Sequence, residues 1–209
     1  MITRHEDGPL WVLTLNRPDK ANSLTRVMIE ELITHLEAAN GVVEALVLTG
    51  AGKHFSAGAD LDEARDGLAI DPIWEDLSSR IHALRCLTVA ALNGTLAGGA
   101  FGMALACDIR LAAPEARFFY PVMKLGYLPQ PSDPGRLAAL IGPARARMIL
   151  MGGARISAEE ALAWGLIDRI HPRDDLLDAA RALSADACAA PQGHAARIKA
   201  MIPRVWSHV

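Results

Sequence analysis

The sequence predicts an α/β fold with largely parallel strand pairing, and three observations carry the prediction. Apolar, β-branched runs read as short strands at Leu10–Leu15, Ala45–Thr49 and Thr88–Leu92, with a further one at Ile109–Ala112. Helical periodicity fills the intervals between them. Strands that alternate with helices pair in parallel, each crossover packing a helix onto the sheet.

The elements follow in order. Thr25 is placed to cap a helix with the apolar stripe Met28, Leu32, Ile33 and Leu36, and Gly41 stands near its C-terminal end. A similar helix covers Pro72–Leu84. Past Asp133 the strand signals stop, and alanine-rich stretches predict helices at Gly135–Ile141, Ala144–Leu150, Ser157–Trp164, Asp174–Ala187 and Ala190–Met201. Ser157 and Glu160 have the spacing of a capping box. The chain therefore divides into a mixed α/β body, residues 1–134, and a helical part of the same domain, residues 135–209, with no linker between them.

Composition narrows the function. With 209 residues, 51% of them hydrophobic, the chain can bury roughly 70% of its unfolded surface in one core. Twenty-one basic against 24 acidic residues leave a net charge of -3, which argues against nucleic acid as a partner. The three cysteines, Cys86, Cys107 and Cys188, lack metal or CxxC spacing, and the start lacks an apolar signal region; a reducing, cytoplasmic setting is expected. Residues Leu87 to Cys107 carry no charge and resemble a membrane span, but four glycines and Asn93 fit a buried strand, turn and helix, so no membrane partner is expected. No histidine pair has metal-site spacing, so no metal is expected.

Two glycine turns are the candidate site: Phe55-Ser-Ala-Gly-Ala-Asp60 and Asn93-Gly-Thr-Leu-Ala-Gly-Gly-Ala-Phe-Gly102. Each follows a predicted strand and opens toward a helix, exposing backbone N–H groups that together can hold an anion or a polarised carbonyl oxygen. The other reading is that the glycines serve tight turns and close packing alone. Gly50-Ala-Gly-Lys53 is not a phosphate-binding loop, and Ser56 lacks the first glycine of a nucleophile elbow.

With these turns in place, the sequence resembles the enoyl-CoA hydratase/isomerase, or crotonase, family. The resemblance runs in order through Leu13-Thr-Leu-Asn-Arg-Pro18, Asn22-Ser-Leu24, Leu46-Val-Leu-Thr-Gly50, both turns, Cys107-Asp-Ile-Arg110, Leu140-Ile-Gly142 and Ile156–Asp168. It implies a crotonase-like spiral of ββα units followed by a helical C-terminal region, and an enzyme of the acyl-CoA lyase or isomerase class. A coenzyme A thioester would be substrate or ligand, with no separate cofactor. The thioester oxygen would accept hydrogen bonds from the backbone of Ala59 and Gly99, donors suited to developing enolate charge. The same resemblance places Lys20, Ala21, Ser23, Ala57, Asp60, Leu61 and Asp62 along the CoA moiety. Lys20 is either a phosphate contact or plain surface, and Asp60 is a candidate helix cap.

Departures from the pattern are specific. The two positions where a hydratase carries its glutamates hold Gly102 and Val122, so ordinary hydration is doubtful and a non-catalytic acyl-CoA binder or a decarboxylase or isomerase with another acid-base residue are alternatives. Tyr120, Gln130 and Asp133 flank the pocket in sequence, as do His54, Lys124 and Tyr127; for each the plain reading is a rim, turn or solvated residue. Gln130 takes the place where aryl-CoA dehalogenases of the family carry a nucleophilic aspartate. Family members form homotrimers or dimers of trimers and usually continue for another helical layer; here Arg197–Val209, with Ile198, Met201, Ile202, Val205 and Trp206, would replace that layer or end the fold.

Overall fold

The computed structural model describes residues 1–202. An antiparallel hairpin, β1 (Ile2–Asp7) and β2 (Leu10–Leu15), leads into α1 (Arg26–Ala39), where the Thr25 hydroxyl accepts the Met28 N–H and caps the helix. Three ββα units follow. They are β3 (Ala45–Gly50), β4 (His54–Ser56) and α2 (Leu61–Arg65); then, after α3 (Ile73–Ala83), β5 (Leu87–Leu92), β6 (Thr95–Ala97) and α4 (Phe101–Ala106); then β7 (Ile109–Ala112), β8 (Arg117–Phe119) and α5 (Val122–Leu125). Each unit adds one strand to each of two sheets, which winds the chain into a spiral. The larger sheet has the order β1-β2-β3-β5-β7 and the smaller the order β4-β6-β8, with β2 through β7 and β4 through β8 parallel.

The remaining elements are α6 (Asp133–Ile141), α7 (Pro143–Leu150), β9 (Ile156–Ser157), α8 (Ala158–Trp164), β10 (Arg169–Ile170), α9 (Leu176–Ala189) and α10 (His194–Met201). Strand β10 closes the larger sheet beside β7, and β9 pairs antiparallel with β8. The expected capping box forms: Glu160 N–H donates to Ser157 Oγ, and Ser157 N–H donates back to the Glu160 carboxylate.

Side chains alternate across the larger sheet as a pleat requires. Trp11, Leu13, Leu46, Leu48, Ala90 and Leu92 join the main core with α1, α3 and α4, whereas Leu10, Val12, Val47, Val89 and Leu111 face α9. Both faces are covered, which is why these strands read as continuous apolar runs. Leu137, Ile149 and Ala161 from beyond residue 134 belong to the same core as Leu13.

Two strand expectations need correction. The reading that strands cease after Asp133 misses β9 and β10, whose two residues each are too short to show a period. Strand β1 was not expected because Thr3 to Asp7 are exposed polar or charged residues on an edge. In the final stretch Ile198, Met201 and Ile202 are exposed, and Val205 and Trp206 lie outside the described residues.

Candidate functional site

The first turn, between β4 and α2, is held by a buried polar bracket. Asn22, fully buried with φ 51°, accepts the Arg17 N–H at its Oδ1 (2.8 Å) and donates from Nδ2 to the carbonyls of Ala51 (2.9 Å) and His54 (2.7 Å). Ser56 Oγ donates to Asn22 O (2.8 Å) and accepts the Gly58 N–H (3.1 Å). Leu24 donates its N–H to Gly58 O and accepts the Asp60 N–H, both at 2.8 Å. Bonds from one residue to the two flanking Ala59 turn the N–H of Ala59 itself to the opposite side.

The second turn packs against Gly58 of the first. A methyl group built on Gly58 would stand 2.9 Å from Ala97 O and 3.4 Å from Gly99 N, and Gly58 has φ 95°, so only glycine fits. Gly98, at φ 56°, lies with its own methyl position 3.7 Å from Gly58 Cα. The Gly99 carbonyl accepts the Gln130 Nε2–H (2.8 Å), and the Trp74 ring lies 3.3 Å from the Gly99 methyl position. Both turns open onto a cavity of about 200 Å³ lined by Ala57, Ala59, Gly99, Trp74, Tyr120 and Gln130 among others. Leu61, Leu125 and Leu128, all exposed, form its apolar mouth. A larger hollow of about 480 Å³ lies elsewhere, between α9, α10 and the start of β5, remote from the turns.

Behind this cavity the positions of the absent glutamates are filled differently. Val122 is buried and lines the cavity wall. At Gly102 the space a side chain would take is occupied by two others: its methyl position is 2.5 Å from Gln130 Oε1 and 3.1 Å from Asp133 Oδ1. Asp133 is not the solvated turn residue the sequence suggests; it opens α6 and is 1% exposed. Its Oδ2 accepts the Tyr120 hydroxyl at 2.9 Å, so that hydroxyl points inward instead of lying at the rim. The Tyr120 ring stacks on Phe101, centroids 5.3 Å apart.

Burial pushes the Asp133 carboxyl up to about 7, against the pull of the Tyr120 hydrogen bond and the Arg136 charge. Burial first, then the adjacent Asp133 carboxylate, push the Tyr120 phenol well above its usual range. Among the described residues, Gln130 Oε1 and Asp133 Oδ1 have no hydrogen-bond donor.

Of the other sequence candidates, Asp60 caps α2, accepting from Asp62 and Glu63, and pairs with Arg17 at 2.7 Å, a hydrogen bond that holds its carboxyl below the usual range. Asp62 is exposed and pairs with Arg65; Lys20 and Lys124 are exposed; Ala21, half-buried, takes φ 51°; Ser23 Oγ accepts from Arg17 at 3.2 Å. None of these six lines the cavity, nor does His54, whereas Tyr127 does. Trp74 was not singled out from the sequence, and Arg17 and Asn22 entered only as members of matching stretches, without the bracket they build. A tryptophan facing two glycines is legible only once α3 is known to cross the second turn.

Fold and site together define a two-sheet ββα spiral that brings two glycine turns into contact over an apolar cavity. The enoyl-CoA hydratase/isomerase family model matches residues 6–207. A "probable enoyl-CoA hydratase" of Mycobacterium bovis is 35% identical over 186 residues, 87% of this chain and 72% of that protein. The carnitinyl-CoA dehydratase of Citrobacter koseri is 37% identical over 190 residues, 88% of this chain and 72% of its own. An enoyl-CoA hydratase structure from Bacillus anthracis superposes with a TM-score of 0.88 at 31% identity, covering 95% of this chain and 81% of that one. This chain belongs to the enoyl-CoA hydratase/isomerase family.

Proposed function

We propose that the protein binds an acyl-CoA thioester with its carbonyl oxygen between the backbone N–H groups of Ala59 and Gly99, and that it promotes reactions passing through a thioester enolate. The contact between the two turns carries this reading, because Ala59 of one turn and Gly99 of the other line one apolar cavity. Such amides are fixed before the reaction and meet charge where it develops, each contributing about 2.7–4 kcal/mol to the transition state. Helix α4, starting at the second turn, adds its own positive N-terminal field.

Addition of water is not the reaction these residues support. That reaction needs a carboxylate pair to hold and deprotonate water, and the cavity wall of the described residues carries no acidic side chain. An isomerase or decarboxylase, which needs enolate stabilisation and one proton-handling group, fits the uncharged wall better.

The test is turnover and binding of three probes, crotonyl-CoA, a 3-enoyl-CoA and malonyl-CoA, by mass spectrometry and calorimetry. Binding of at least one, with isomerisation or loss of carbon dioxide exceeding hydration, is expected. Failure to bind any of them would overturn the acyl-CoA reading.

A further inference from the structure

The Gly102 position is empty of a side chain because two other polar groups occupy its space. Gln130 Oε1 and Asp133 Oδ1 lie 2.5 Å and 3.1 Å from the point where a Gly102 methyl would be, both buried and both without a donor among the described residues. Two oxygen acceptors directed at one small volume repel unless a proton lies between or beside them, and a carboxyl group is the member of the pair that can carry one. The second oxygen of the same carboxyl accepts the Tyr120 hydroxyl, and Tyr120 lines the cavity into which Ala59 and Gly99 open.

We propose that Tyr120 and Asp133 form a proton-handling dyad that takes over, from α6, the role lost with the glutamate at Gly102. Tyr120 is the group that touches substrate, and Asp133 is its positioning residue and proton acceptor. The inference rests on the thioester-binding reading of the cavity.

The step balances. Breaking a Cα–H bond of the bound thioester leaves its electron pair as the enolate, the oxygen held by the two amides. Starting from the ionised form of Asp133, the proton passes to the Tyr120 oxygen as the Tyr120 hydroxyl proton moves to Asp133 Oδ2, leaving a neutral phenol and a neutral carboxyl. The reverse transfer returns a proton to carbon.

Titration of Asp133 is compatible with this work at neutral pH, since burial brings its carboxyl up to about 7. The charged or titratable groups that face it are Tyr120 from the segment after β8, Arg136 from α6 and Glu75 from α3. Glu75 is itself engaged by the N–H (3.1 Å) and hydroxyl of Ser132. Gln130 holds Gly99 O and stands beside the Tyr120 hydroxyl, so the dyad and the second amide donor are fastened by one side chain.

Deuterium exchange at the α-carbon of butyryl-CoA in D2O, followed by mass spectrometry, tests the dyad without requiring the natural acyl group. Wild-type protein should exchange, at a rate that rises with pH through neutrality and then levels. Asp133→Asn and Tyr120→Phe should each slow exchange by about 100-fold or more, while leaving calorimetric affinity for butyryl-CoA within about three-fold. The pH dependence should vanish in Asp133→Asn. Binding without exchange by the wild type, or undiminished exchange by the folded variants, would overturn the dyad and leave the thioester site standing. Absence of butyryl-CoA binding by wild-type protein would overturn both.

Discussion

Replacing Asp133 by asparagine should make the protein more stable at neutral and alkaline pH. In the folded state burial pushes this carboxyl up to about 7, whereas in the unfolded chain it titrates near ~3.9. Between those values the folded state holds a proton that the unfolded state has lost, so stability falls as pH rises, by about 1.4 kcal/mol per pH unit. The loss is complete once pH passes the folded value. Asparagine keeps the shape and an oxygen for the Tyr120 hydroxyl but does not ionise. Its advantage over aspartate should therefore grow by about 2.5 kcal/mol between about pH 5 and about pH 8, or about 5–10 °C in Tm for a chain of this size. The pull of the Arg136 charge acts only on the ionised carboxyl and is already contained in the folded value of about 7. Urea unfolding of the two proteins at a series of pH values reads the difference. Parallel stability curves would refute the assignment of a buried, neutral-range carboxyl.

Gly58→Ala, at φ 95° and 2.9 Å from Ala97 O, should destabilise by about 1–3 kcal/mol and abolish butyryl-CoA binding, as read by thermal unfolding and calorimetry. Asn22→Ala removes three buried hydrogen bonds and strands the Arg17 amide, so a loss of about 2–4 kcal/mol in urea unfolding is expected. Burial pushes Cys86 and Cys107 up to about 12, and neither should react with iodoacetamide near neutral pH until the protein is unfolded. Mass spectrometry of the labelled native protein checks this. Gly99→Pro deletes one amide donor and should eliminate α-deuterium exchange; retained exchange would show that the oxygen is held elsewhere.

The parts of the fold legible in the sequence are those whose burial is continuous. Strands β2, β3, β5 and β7 are sandwiched between helices and show as unbroken apolar runs, and α1 shows as a stripe because only one face meets the core. Three-residue strands such as β4, β6 and β8 are too short for any period, although they carry the two site turns. The turns were visible because glycine at positive φ leaves a direct trace at Gly58 and Gly98. The Tyr120–Asp133 contact was not, since flanking prolines make Asp133 read as a solvated turn, and only packing of α6 against α4 buries it over Gly102. Arg17 and Trp74 share this invisibility: their partners, Asp60 and the Gly99 turn, lie tens of residues away.

The central claim is that two backbone amides recognise a thioester oxygen. Calorimetry comparing butyryl-CoA with S-butyl-CoA, the thioether lacking only that oxygen, tests it most directly. Two net hydrogen bonds of about 0.5–1.5 kcal/mol each predict a preference for the thioester of roughly five-fold to 150-fold. Equal affinities would contradict the assignment of Ala59 and Gly99 as the oxygen-binding pair.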